Sequence, residues 1–278
     1  MNNIQFIIKD YHYGRLGIGN ILKCLISSLS INNDTVIQCY DDYMYGKYDT
    51  VLDNRFIYTN NTTKEIEKVY TCRLLVLKEE EQYQQDLPSE EWYLGGLENP
   101  RFHSYFSFSK RIDWNYNPNL LHSQVKNRIF NSIDKIIFKD IILNKVQSFE
   151  ELLKNKISLG ISVRTWKSSH ESNINRPYHF DIYKNKIIEI LQQHNNINNI
   201  VLSLDNHDIY QEYSNLFKEL NIDHILLTKS DELNDIQYAV TKALVLSKCN
   251  YFIGNRISTF SELVFWFSKC TINVYTVF

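Results

Sequence analysis

Between Lys156 and Val277 short apolar runs alternate with longer runs of helical period, and this alternation constrains the fold more than anything else in the chain. Ile157, Leu159, Ile161 and Val163 share one face of an extended segment, which predicts a strand. The spacing then predicts a helix over 180–193, a strand over 200–204 ending in Asp205 and Asn206, a helix over 207–220 and a strand over 224–227. A helix over 235–246, a strand over 251–253, a helix running through Phe267 and a strand over 271–277 complete the pattern. Strands alternating with helices of this length imply βαβ units and a parallel sheet. Residues 150–278 therefore read as one doubly wound, Rossmann-like α/β domain, and residues 1–149 as a second, less regular one.

The strand at 157–163 ends in Arg164, with Lys167, His170 and Glu171 close behind. Ligands of open α/β sheets bind beyond the carboxyl ends of the strands. An arginine placed there can grip a phosphate through two parallel hydrogen bonds. It can equally be a strand-end arginine paired with a carboxylate, and this segment alone does not choose.

The first half begins with a strand over 4–8, the turn DYHYGRLGIGN, and a helix-spaced run of Ile21, Leu22, Leu25, Ile26 and Leu29. A strand, a glycine-bearing turn and a helix start make an anion site possible, because free N–H groups there favour negative charge. Gly14, Gly17 and Gly19 allow close approach of backbone. Leu22 stands where GxGxxG needs its third glycine, and no GKS or GKT follows, so neither common nucleotide motif is present. A plain tight turn is the competing reading. A strand over 35–40 leads into Asp41 and Asp42, which without a third ligand read as solvent-facing carboxylates, not a metal site. A strand is expected over 70–77, followed by a charged segment at 78–85. The aromatic-rich stretch from Trp92 to Trp114 suits either a sugar-binding cleft or core beneath a loop, with core favoured. Residues 119–146 read as mainly helical, and Ser148-x-x-Glu151 resembles a capping box opening another helix.

Composition excludes several classes. At 44% hydrophobic residues the chain has ample core material, and a net charge of -2 carries none of the basic surplus of a nucleic-acid binder. The five cysteines are scattered and never form CxxC, which speaks against a disulfide frame or a zinc site. No run of 18 apolar residues and no signal-peptide pattern occurs, so a soluble, cytoplasmic setting is the expectation.

Three turns, each expected between a strand and a helix, stand out: GRLGIGN at 14–20, SVRTWK at 162–167 and GNRISTFSE at 254–262. In order and separation they resemble the fucosyltransferase superfamily that includes protein O-fucosyltransferases and the α1,6- and α1,2-fucosyltransferases. Those enzymes carry a GRFGNQ or GLGNQ turn, then an HxRRGD-like motif, then a late IGNxxSSF-like turn. Ile253, Gly254 and Asn255, with Ser258, Thr259 and Phe260, represent the last of these here.

The resemblance implies a GT-B arrangement of two Rossmann-like domains facing a cleft. It also implies inverting, metal-independent transfer of L-fucose from GDP-fucose to a glycan or protein hydroxyl, with no cofactor. On it, Arg164 matches the arginine that holds the donor diphosphate, and Ser258 and Thr259 match the phosphate-facing turn. Gly19 and Asn20, beside Gly17, match the turn facing the sugar. Lys167 and Glu171 fall on the lysine and glutamate that bear on acceptor activation in the α1,6 group, once one residue of the doubled arginine is dropped. Glu171 is then the candidate base, against the reading of a solvated loop carboxylate.

The departures are specific. Ser162 replaces the motif's histidine, Thr165 stands at or near its second arginine, and Trp166 and Lys167 replace its GD. Ungapped spacing puts Lys242 where the family has an acid that reads guanine, and lysine cannot accept from guanine N–H groups. Asp235 or Asp205 is the candidate substitute. Another GDP- or UDP-sugar donor, or a non-catalytic nucleotide- or glycan-binding relative, is the alternative reading.

Overall fold

The computed structural model describes residues 4–10, 18–29, 34–37, 47–57, 65–72, 116, 123–165, 178–255 and 258–277. The chain divides into two compact units. The first comprises Met1–Lys145 with Ser230–Thr241, and the second Val146–Lys229 with Lys242–Phe278. A contiguous division at residue 149 does not anticipate the segment at 230–241.

In the first unit, β1 (Ile4–Asp10) lies between β2 (Thr35–Ile37) and β3 (Glu65–Cys72), and both pairings are parallel. Helix α1 (Ile18–Leu29) connects β1 to β2 and fully buries Ile21, Leu22, Leu25 and Ile26, the face set by their spacing. The strand expected at 70–77 starts earlier, at Glu65, because its pairing follows β1 along the whole length of that strand.

The helix expected over 119–146 is broken. Helix α2 (Ser123–Lys135) stops, and α3 (Asp140–Leu153) restarts after four residues. The intervening main chain is committed elsewhere: Phe138 bridges Leu52, Asp53 N–H donates to Ile137 O at 2.9 Å, and Lys139 N–H donates to Val51 O at 2.9 Å. Nor does Ser148 open a helix. It lies exposed inside α3, whose buried face of Ile142, Val146 and Leu153 runs straight past it.

The second unit holds a five-stranded sheet in the order β6-β5-β4-β7-β8, parallel throughout. Its strands are β4 (Ser158–Val163), β5 (Asn199–Leu204), β6 (Asp223–Leu226), β7 (Tyr251–Asn255) and β8 (Asn273–Val277). The connecting helices are α4 (Phe180–Gln193), α5 (Tyr210–Glu219), α6 (Asp235–Leu246) and α7 (Thr259–Phe267). Residues 207–209, expected as the start of α5, form a separate 3-10 turn capped by Asn206, whose Oδ1 accepts from Asp208 N–H.

Every residue of β5 is buried, the mark of a parallel strand covered on both faces. Helix α7 is apolar nearly all round, and Leu263, Val264, Phe265 and Trp266 are fully buried. Removing one such aliphatic or aromatic side chain from water stabilises the fold by roughly 1.5–3 kcal/mol. No helix among the described residues is long and apolar enough to cross a membrane.

Candidate functional site

The strand order locates the site. From β4 the chain winds outward through β5 to β6, then returns to the other side of β4 as β7 and continues to β8. The direction of winding reverses between β4 and β7, and ligands of doubly wound sheets bind outside the carboxyl ends of the two strands at such a reversal. The carboxyl end of β4 carries Arg164 and Thr165; that of β7 carries Asn255 and the turn into α7.

Past Val163 the β4 backbone leaves its ladders, and side chains take over its donors. The N–H of Arg164 donates to the Tyr183 hydroxyl at 3.3 Å. The N–H of Thr165 donates to the carboxylate of Asp205, with its oxygens at 3.0 and 2.9 Å. The Arg164 side chain is half-buried, and the buried Thr165 hydroxyl has no hydrogen-bond partner among the described residues. Tyr183, fully buried on α4, donates to Asn255 Oδ1 at 3.4 Å, and Asn255 Nδ2 lies 3.2 Å from the same hydroxyl. Burial pushes the Tyr183 phenol up to about 12, with its hydrogen bond from the Arg164 backbone opposing, so near neutral pH it keeps the proton it donates.

At the end of β7 the backbone runs close beneath α7. A Cβ on Gly254 would lie 2.5 Å from Ser261 Oγ and 2.6 Å from Phe252 Cε1, which explains the glycine. Asn255 N–H donates to Ser261 Oγ at 3.1 Å, pinning the first turn of α7 to the strand end. Ser258 is the N-cap residue, buried, and makes no side-chain capping bond. Its carbonyl accepts from Glu262 N–H at 3.2 Å, while helix geometry leaves the N–H groups of Thr259, Phe260 and Ser261 without intrahelical acceptors. A helix start carries partial positive charge on such N–H groups, here with the buried Glu262 carboxyl in the same first turn.

Arg164, Asp205, Asn255, Ser258, Thr259 and Phe260 thus all belong to strand ends or the helix start of one sheet. Asn206 sits beside Asp205 as a turn cap. Gly19 is buried in the first turn of α1, where Asn20 follows it, in the first unit. Asp235 is exposed in the first turn of α6, also in the first unit. Gly17, Lys167, His170, Glu171, Asp41 and Asp42 lie outside the described residues. No cluster of His, Cys, Asp or Glu that could hold a metal occurs among the described residues.

Sequence reasoning missed two features. Tyr183 reads as an ordinary core aromatic at helical spacing, since only the fold reveals where its hydroxyl ends. Asn234 and Gln237 form a reciprocal capping box, each backbone N–H donating to the other's side chain at 2.9 Å. The same pair reaches Thr50: Asn234 Nδ2 donates to its hydroxyl at 3.0 Å, and Gln237 Nε2 to its carbonyl at 2.8 Å.

Asp205 is one of the two candidates for reading a donor base, and its carboxylate holds the β4 main chain. Asp205→Ala is expected to lower the melting temperature by roughly 2–4 °C, as the Thr165 N–H loses its acceptor. Asp205→Asn should restore most of the loss, because an amide oxygen still accepts. Thermal unfolding of both variants checks this; equal losses would show that charge, not the hydrogen bond, matters.

No family model matches the sequence, and no curated protein matches it. Solved structures do resemble the fold. The apo form of POFUT1 aligns with a TM-score of 0.51 at 8% identity, covering 99% of this chain and 98% of that one. POFUT1 in complex with GDP-fucose gives 0.50 at 10% identity over 99% and 98% of the two chains. The fucosyltransferase NodZ from Bradyrhizobium aligns at 0.49 and 14% identity over 94% and 91%. At these identities the likeness to POFUT1 speaks to architecture, and the chain has a fucosyltransferase-like α/β fold.

Proposed function

We propose that this chain is an inverting glycosyltransferase that works without a metal and transfers L-fucose from GDP-fucose to a hydroxyl of a glycan or protein. The observation carrying this reading is the placement of Arg164 and the start of α7 at the ends of adjacent strands, where the winding of the sheet reverses. The shared fold with POFUT1, whose structure holds GDP-fucose, supports the choice of donor.

In this reading the diphosphate lies against the first turn of α7, where Ser258, Thr259 and Phe260 offer backbone and hydroxyl donors. Arg164 faces the same group. As the bond to the sugar breaks, the diphosphate gains negative charge, and a guanidinium held in place offsets it without solvent having to reorganise. On the resemblance, Gly17, Gly19 and Asn20 are the residues that serve the sugar. On the same resemblance, Glu171 takes the acceptor proton and Lys167 bears on acceptor activation. The guanine edge falls to Asp235 or Asp205, the two acids that could serve in place of Lys242.

A thermal-shift panel of GDP, UDP, GDP-fucose and GDP-mannose tests the donor. GDP and GDP-fucose are expected to stabilise the protein most, by about 2.7 kcal/mol at a hundredfold excess over Kd. Release of fucose from GDP-fucose should continue in EDTA. Loss of activity on chelation and its return with Mn²⁺ would end the metal-free reading. Larger shifts with UDP would favour a UDP-sugar donor, consistent with Lys242 at the family's acidic position. Binding without turnover would mark a nucleotide-binding relative.

A further inference from the structure

The last ladder pairs of β4 are Val163 with Leu204 on one side and Ile161 with Ile253 on the other. Beyond them side chains hold the main chain, the Asp205 carboxylate at the Thr165 N–H and the Tyr183 hydroxyl at the Arg164 N–H. The Tyr183 hydroxyl stands at this point, accepting from the Arg164 N–H at 3.3 Å and lying within 3.4 Å of both polar atoms of the Asn255 amide. It thereby joins the end of β4 to the end of β7 across the reversal of the sheet.

We infer that Tyr183 is a positioning residue for Arg164: its hydroxyl fixes the main chain from which the guanidinium extends toward the diphosphate. The inference rests on the proposed role of Arg164 as diphosphate ligand. Tyr183 suits the task because its ring cannot wander. It is fully buried, with Tyr178 at 6.0 Å and Tyr213 edge-on at 6.4 Å between ring centroids. A hydroxyl carries one hydrogen and two lone pairs, so it can accept from one strand end while donating to the other. Arginine, by contrast, is long and rich in rotamers. A shift of about 1 Å at its root moves the guanidinium off the position where a departing phosphate needs it, and such misplacement costs up to about a hundredfold in rate.

Tyr183→Phe keeps the ring and removes only the hydroxyl, so the packing survives. Two readouts test the inference. Amide hydrogen exchange should speed up at Arg164 in Tyr183→Phe while Leu202, in the centre of β5, stays protected. Calorimetry with GDP on the native protein, Tyr183→Phe, Arg164→Ala and the double variant should show affinity falling roughly tenfold on loss of the hydroxyl when Arg164 is present, and hardly at all when it is alanine. Unchanged exchange at Arg164 in a folded Tyr183→Phe would overturn the inference. So would an equal loss of GDP affinity in both backgrounds, which marks a general structural role. Should the native protein bind no GDP, the donor reading falls, and exchange at Arg164 still decides whether Tyr183 positions it.

Discussion

Replacing Arg164 with alanine is expected to lower kcat on the order of 10²–10³-fold, the usual cost of removing one preorganised donor aimed at developing charge. The fall in kcat should at least equal the fall in affinity, because the contact strengthens as the diphosphate departs. Lysine should rescue poorly, since a point charge cannot make two parallel bonds to one phosphate. An arginine that merely closed the strand end would behave otherwise: its loss would lower the melting temperature and leave turnover per folded molecule intact. Steady-state kinetics and thermal unfolding of Arg164→Ala and Arg164→Lys separate the cases. A folded Arg164→Ala with near-native turnover would remove Arg164 from the mechanism.

The second large effect is structural. In Gly254→Ala the new methyl group would enter the space of Ser261 Oγ, 2.5 Å away, and of Phe252. Overpacking of this kind costs about 1–3 kcal/mol, because both neighbours are buried and α7 is held on all sides. The strain falls on the bond from Asn255 N–H to Ser261 Oγ, so the first turn of α7 is displaced as well. Stabilisation by GDP should therefore shrink along with the melting temperature. In a Ser261→Ala background the nearest contact is gone, and the added cost of Gly254→Ala should be smaller than in the native protein. Additive costs would show that the limit is set by Phe252 and the remaining Cβ of residue 261, not by the hydroxyl.

How far the sequence discloses this molecule depends on the range of the interactions involved. The βαβ alternation after Lys156 is legible because each strand and helix is encoded by its own apolar spacing. Arg164 is legible for the same reason: it stands next to a strand that announces itself. The break between α2 and α3 is not, because nothing local at 136–139 opposes a helix and the competing partners lie at 51–53. Ser148 misleads in the opposite sense, carrying a cap pattern that the continuous buried face of α3 overrides. Asp205 looks like a ligand and is found holding backbone, since a carboxylate after a strand has the same spacing in both roles. The Tyr183 hydroxyl could not be assigned without knowing that α4 lays it between two strand ends.

The capping box at Asn234 and Gln237 ties the segment at 230–241 to Thr50. During synthesis most chains complete their amino-terminal portion first, as it leaves the ribosome. Here the amino-terminal unit includes residues 230–241, which are made late. The donors that reach the Thr50 hydroxyl and carbonyl are encoded more than 180 residues downstream, by which point β4, β5 and β6 have already been translated. The first unit thus has all its residues only once most of the second has been made, and a chain cut before Ser230 lacks a segment of each.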